Sequence, residues 1–267
     1  MFAMQNLMHL FLLTIVLLAS LGCSNFRIVN NDFENRSIND NISSDAKTLN
    51  SLSHYKASID SAMNKRIGTS SSLMMKGSPE GKLGNFCADV IYTQAERWNS
   101  AQTGPSKPID FAILNNGGLR VPIDSGEITI RNIYELMPFE NEIVVVDISG
   151  KRMNELIRYI QSRTMGKGRK SGVPVSRHMR IRYTSSKTHF KCQIKSKPFD
   201  ETTTYKIATS DYLAKGGDEM TFFESPIQLI ETGIKLRDAF IDLIQENDQK
   251  GIRINGTLDQ RIIYEPE

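Results

Sequence analysis

Six consecutive residues, Asn115-Asn116-Gly117-Gly118-Leu119-Arg120, put two carboxamides, two glycines and a guanidinium side by side. Adjacent glycines take backbone angles closed to other residues and let a ligand approach the main chain. Arg120 could then deliver a planar cation to a phosphate or carboxylate, while Asn115 and Asn116 donate or accept hydrogen bonds. Read alone, the stretch is either a plain turn or an anion-holding loop. A second double-glycine stretch, Asp211-Tyr212-Leu213-Ala214-Lys215-Gly216-Gly217-Asp218, closes on a carboxylate. Between the two, Pro138 directly precedes Phe139, which stops a helix and stiffens the turn, leaving Phe139 either presented or packed. Gly84-Asn85 opens a helical pattern, where unpaired N–H groups and the helix dipole favour an anion or simply need a cap.

The elements that must position these groups follow from hydrophobic period. The apolar run at 110–114 reads as a buried strand ending at the first Gly-Gly loop, and the stretch from Tyr205 to Asp218 as a strand running into the second. Residues 84–95 read as a helix with Phe86, Val90 and Ile91 on one buried side. A strand at 128–130 and a short helix at 132–137 precede Phe139. Residues 143–148 form a strong strand, and Ser149 caps a helix carrying Met153, Leu156, Ile157 and Ile160. Residues 164–176 read as a loop, and 178–183 with 189–195 as a hairpin. Tyr55, Ile59 and Met63, spaced by four, suggest an amphipathic helix at the start of the folded part. A strand is expected through 73–75, a last helix at 234–244 and a last strand at 261–264.

With 267 residues, 39% hydrophobic and 24% charged, the chain can bury a sizeable core. The net charge of +3 is unevenly spread. Residues 151–197 hold fourteen Lys and Arg against one acid, Glu155, a local charge of +13 that leaves −10 for the rest. That segment is either a solvated basic region or a surface for an anionic partner. Its aromatic residues are too widely spaced to stack the bases of a single strand, so nucleic acid is not expected. Cys87 and Cys192 read as small core residues rather than disulfide partners.

Residues 10–19 form an apolar run, too short for a confident membrane span and suited to a secretion signal, followed by Gly22-Cys23. This resembles a bacterial lipoprotein signal, with Cys23 the lipidated first residue of the mature chain, although Leu21 replaces a small residue and no Lys or Arg precedes the run. The expectation is a signal over 1–23, a flexible Asn- and Ser-rich tether over 24–50, and a folded domain over 51–267, exported and held at a membrane by lipid.

Four motifs in one order, Leu83-Gly84-Asn85-Phe86, the Asn115 to Arg120 loop, Leu136-Met137-Pro138-Phe139 and the Asp211 to Asp218 stretch, resemble the C-terminal domain of the 5′-nucleotidase / UDP-sugar hydrolase family. The likeness runs from about Tyr55 to the C-terminus. It implies an α/β fold, α+β in stricter schemes, with mixed sheets packed with helices. It also implies that this domain holds a nucleoside or nucleotide for a two-metal phosphoesterase. By that likeness Asn115 binds the nucleobase or ribose side, Arg120 the phosphate or a ribose hydroxyl, and Asp218 accepts from ribose hydroxyls, with Gly117, Gly118 and Gly217 in the loops. Phe139 stacks on one base face and Tyr212, where the family usually has phenylalanine, on the other. The segment over 75–82 lacks the family's arginines, so Lys76 or Lys82 would contact phosphate as point charges. His9, His54, His178 and His189 show neither Asp-x-His nor Gly-Asn-His, so no catalytic residue, cofactor or metal is expected in this chain. Two divalent metals are expected only in a partner metallophosphatase chain. The alternative is a lipid-anchored binding module with no hydrolytic activity.

Overall fold

A computed structural model describes residues 42–265 apart from 103, 105, 106, 166–170 and 185–188, together with 35, 37 and 39. Contacts divide the chain between Ser51 and Leu52. The signal and lipidation reading, Cys23 included, falls outside the described residues.

Helix α1, Ala46–Met63, begins five residues before the expected boundary. Asp45 Oδ1 accepts from Thr48 N at 2.7 Å, an N-cap that satisfies an otherwise orphan donor. None of its residues is buried, and Tyr55 and Ile59 are exposed. A period of four reports helix geometry and not what covers the stripe.

Strand β1, Arg66–Ser70, pairs antiparallel with β3, Gly126–Thr129. The strand expected at 73–75 is reduced to one bridge, Met74 with Ile123, because bends at Ser71-Ser72 and Ser78-Pro79 turn the chain on either side. Helix α2, Lys82–Ser100, buries Leu83, Phe86, Cys87, Val90, Ile91 and Ala95, one face of a 3.6-residue repeat. Gly84 and Asn85 are its third and fourth residues, within the first turn. A Cβ on Gly84 would stand 2.8 Å from Pro174 Cγ, and Asn85 Nδ2 donates to Glu80 Oε2 and the Thr257 carbonyl. Both residues are packed into the fold at this point.

The central sheet has the order β2-β8-β4-β9, from β2 (Phe111–Ala112), β4 (Glu142–Ser149), β8 (Thr204–Ser210) and β9 (Gln228–Lys235). It is mixed: β8 runs parallel to β2, while β4 is antiparallel to both β8 and β9. Successive side chains alternate faces, so β4 sends Ile143 and Val145 into one core and Val144, Val146 and Ile148 into the other. The first core is closed by α2, by α3 (Ile130–Leu136) and by α6 (Leu236–Gln249). The second is closed by α4, Gly150–Met165, whose Met153, Leu156, Ile157 and Ile160 are fully buried, and by a second mixed sheet. That sheet runs β10-β5-β6-β7, from Ile262–Glu265, Met179–Thr184, Phe190–Ile194 and Lys197–Pro198, with β5 and β6 as the expected hairpin. Cys87 and Cys192 are buried free thiols, and burial pushes the Cys192 thiol up to about 12.

The last helix starts at Leu236, not at 234, because Ile234 and Lys235 finish β9. That strand was hidden in the sequence by Gly233, whose φ of +73° breaks its alternation.

Candidate functional site

Register at one end of the central sheet brings the site together. The parallel pair β2 and β8 end at the same edge, so the loop after Leu114 and the turn after Ser210 emerge side by side. Because β4 is antiparallel to β8, with Ile143 opposite Ser210, its beginning lies there too, and with it the turn that carries Phe139. Three segments far apart in sequence thus meet for topological reasons alone.

Each is held locally. Ser210 Oγ accepts from Leu213 N at 3.2 Å and starts the short helix α5, Asp211–Ala214. The Met137-Pro138-Phe139 turn is braced from behind by Arg237 of α6, whose guanidinium lies 4.1 Å from the Tyr134 ring centroid and donates to Met137 O and Glu140. Gly216 takes φ +85°, and Asp218 and Glu219 follow at +53° and +65°. Left-handed backbone costs a side-chain-bearing residue roughly 1–2 kcal/mol, so this turn persists only where neighbours hold it.

Asp218 is the hub of those neighbours. Its Oδ2 accepts from Asn115 Nδ2 at 2.6 Å and its Oδ1 from Tyr212 OH at 3.0 Å, while its own N–H donates to Tyr212 OH at 3.2 Å. Its carbonyl accepts from Tyr159 OH at 2.7 Å and from Arg163 Nη2 at 3.2 Å. Burial pushes the Tyr159 phenol up, against a smaller downward pull from Arg163, so the hydroxyl keeps its proton and stays a donor. A carboxylate has about four acceptor positions, so Asp218 retains capacity for further hydroxyl donors.

Two clefts flank this hub. The first holds about 330 Å³ and is lined by Asn115, Gly117, Gly118, Arg120, Phe139, Tyr212 and Asp218 together with Leu114, Met137, Asn141, Ser210 and Leu236. Phe139 is 52% exposed and Tyr212 46%, and neither ring meets another aromatic among the described residues, so both offer open π faces. Arg120 Nη1 donates to Gly117 O at 3.1 Å. The second cleft, about 650 Å³, shares Asn115, Gly117, Arg120 and Asp218 with the first and adds Lys76, Tyr159, Arg163 and the backbone around Gly77 and Gly172.

Gly217 lies under Tyr212, where a Cβ would come 2.5 Å from Cε1 and Cζ. Lys76 lines the second cleft, but its ammonium donates to the carbonyls of Leu119 (2.8 Å) and Asn116 (3.4 Å), securing the Gly-Gly loop from below. Lys82 is not brought to either cleft; it leads α2 and donates to Ser72 Oγ at 3.2 Å. Asn116, buried, clamps two loops through Gly77 O and Ser171 O. The basic segment proves partly paired: Arg152 with Glu155, Arg163 with Glu219, Arg177 with Asp89 and Arg180 with Asp259. Sequence reasoning missed Asn141, which sits two residues beyond Phe139 in the same turn and was open to the same argument. It also missed Tyr159 and Arg163, whose helix gives no local sign of facing a site.

No group of three or more His, Cys, Asp or Glu among the described residues is placed to hold a metal ion.

A family model, 5′-nucleotidase, C-terminal domain, matches residues 60–225. Among curated relatives, the chain is 30% identical to an apyrase from Tabanus yao over 174 residues, 60% of this chain and 31% of the relative. It is also 30% identical to protein UshA of Escherichia coli over 145 residues, 54% of this chain and 26% of that one. A 5′-nucleotidase precursor from Thermus thermophilus superimposes with a TM-score of 0.66 at 21% identity, over 82% of this chain and 43% of the other. NAD nucleotidase from Haemophilus influenzae gives 0.61 at 17%, over 84% and 42%. At those identities the solved structures speak to the fold, and the chain spans less than half the length of any of these relatives.

Proposed function

The chain belongs to the 5′-nucleotidase C-terminal domain family, and on that premise we propose that it recognises a nucleoside or nucleotide for a 5′-nucleotidase-type phosphoesterase whose metals sit in a separate metallophosphatase chain. The observation that carries this reading is the first cleft, where two half-exposed aromatic rings, Phe139 and Tyr212, stand beside the acceptor Asp218. Leaving large apolar rings in water forgoes burial free energy. A planar base inserted at such rings regains that free energy, and because every base has a π face the recognition tolerates any of them. Asn115 and Asn141 supply amides at the rim, and Asp218 suits paired hydroxyls. We place the protein outside the cytoplasm, lipidated at Cys23, on the pattern of its first residues alone. Among the described residues no helix is long and apolar enough to cross a membrane.

A second reading keeps the cleft and drops the partner, giving a lipid-anchored nucleoside- or nucleotide-binding module without hydrolytic activity. It is favoured by the lining of the first cleft, where Arg120 is the one cation among the described residues and is already bonded to Gly117 O.

Titration calorimetry with adenosine and AMP tests both. Adenosine binding should weaken in Phe139→Ala by about 1–3 kcal/mol, the worth of one base–aromatic stack, and an unchanged affinity there would sink the stacking assignment. Phosphate released from AMP only when a metallophosphatase chain and divalent metal are both added supports the first reading. Binding without release under any such mixture supports the second.

A further inference from the structure

The α4 side chains Tyr159 and Arg163 touch none of the groups that would meet a base, yet they hold the backbone of the residue that would meet the sugar. Asp218 has φ +53° and ψ +31°, with Glu219 after it also left-handed. Side-chain-bearing residues rarely adopt that conformation without being held in it. The Asp218 carbonyl receives two donors, Tyr159 OH at 2.7 Å and Arg163 Nη2 at 3.2 Å, and both come from the same helix one turn apart. Arg163 also bonds Glu219 Oε2 at 2.9 Å, so it grips both left-handed residues. The two donors are themselves braced. The Arg163 guanidinium lies 5.1 Å from the Tyr159 ring centroid, and the Tyr159 ring meets Phe222 edge-on at 5.4 Å. Helix α4 is in turn anchored by its buried face on the central sheet.

On the opposite side the Asp218 carboxylate is fixed by Asn115 and by the Tyr212 hydroxyl. That hydroxyl is available only because position 212 is tyrosine. The direction of the carboxylate is therefore set from both ends, the α4 donors through the carbonyl and the Asn115 and Tyr212 donors through the oxygens. A group held this closely can discriminate a pair of hydroxyls from their absence, since displacement by a fraction of an ångström lengthens both acceptor contacts together.

From this geometry we infer that Tyr159 and Arg163 are positioning residues that set discrimination for a ribose diol by fixing Asp218. The inference rests on the nucleoside reading of the first cleft. Glu219 is largely exposed, so its pairing with Arg163 adds little and the bond to the Asp218 carbonyl carries the role.

Titration of the full chain with adenosine and with 2′,3′-dideoxyadenosine tests it. The wild-type protein should bind adenosine more tightly. Tyr159→Phe and Arg163→Gln should each lower adenosine affinity about fivefold to tenfold, the worth of one hydrogen bond, while leaving dideoxyadenosine affinity unchanged, with a small drop in thermal midpoint from the less firmly held turn. Arg163→Lys should recover part of the loss, since an ammonium can still donate to the carbonyl. Unchanged adenosine affinity in both variants, or an equal loss for the two ligands, overturns the positioning role. Wild-type affinity that is equal for the two ligands removes Asp218 as the diol acceptor and the inference with it, while leaving base stacking intact. Wild-type protein that binds neither ligand refutes the nucleoside reading itself.

Discussion

Gly217 shows how much a single missing methyl can carry. Its backbone is not left-handed, so alanine there adds no torsional strain, but the new Cβ would stand 2.5 Å from the Tyr212 ring and 2.6 Å from the Tyr212 carbonyl oxygen. The ring and the backbone of this turn must both shift to admit it. Gly217→Ala is therefore expected to cut adenosine affinity as severely as Tyr212→Ala and to lower the unfolding midpoint below wild type. Affinity retained in Gly217→Ala would mean that the Tyr212 face is not part of the binding surface. At this scale the residue types were legible: double glycines, an aromatic after proline and a terminal acid are each open to argument from chemistry. The exposure of Phe139 was not, because a lone aromatic is equally suited to core and cleft until the Arg237 brace behind its turn is known.

At the scale of elements, Arg261 ties the fold together where no periodicity marks it. It is 1% exposed and forms a two-point pair with Asp89 of α2 while donating to the carbonyls of Asn85 and Val175, just ahead of β10. Removing one partner of a buried pair leaves the other charge stranded, which costs about 3–5 kcal/mol. Arg177, largely exposed, also reaches Asp89 and offsets part of that. Arg261→Met should lower unfolding free energy in urea by about 3 kcal/mol, and a loss below about 1 kcal/mol would show that the pair acts as an exposed one. Strands and helices with a clean period, β4, α2, α4 and the β5–β6 hairpin, were readable because a period states which faces are buried. Strand β9 and the extended start of α1 were not, since a glycine interrupts one and a polar cap begins the other.

For the molecule as a whole, His178 links stability to pH. It stacks on Tyr92 at 3.6 Å with Nδ1 buried and unpartnered, and burial pulls its pKa down to about 4 against the opposing pull of Asp89. Lys195, Arg177 and Arg261 add to the depression. The sign follows from proton counting. Below its ordinary value near 6.5 the unfolded chain binds a proton at His178 that the folded chain refuses, so stability falls as pH drops from about 6.5 to about 4 and levels below that. His178→Phe keeps a ring on Tyr92 and should flatten that part of the stability profile between pH 7 and pH 4. A variant profile parallel to wild type across this window would rule out His178 as the group responsible.

Most of the elements were legible from hydrophobic period, a local property of the chain, whereas the α/β class and the seven residues that line one cleft came from the family likeness of four motifs, read together. It took the packed chain to show that Lys82 turns away to Ser72, that the Asn85 side chain bonds Glu80 and Thr257, and that Tyr159 and Arg163 reach Asp218 from a helix more than fifty positions upstream. Those outcomes depend on which strands pair and in what direction. With β8 parallel to β2 and antiparallel to β4, three distant turns share one edge, and that pairing is written in no single stretch of the chain.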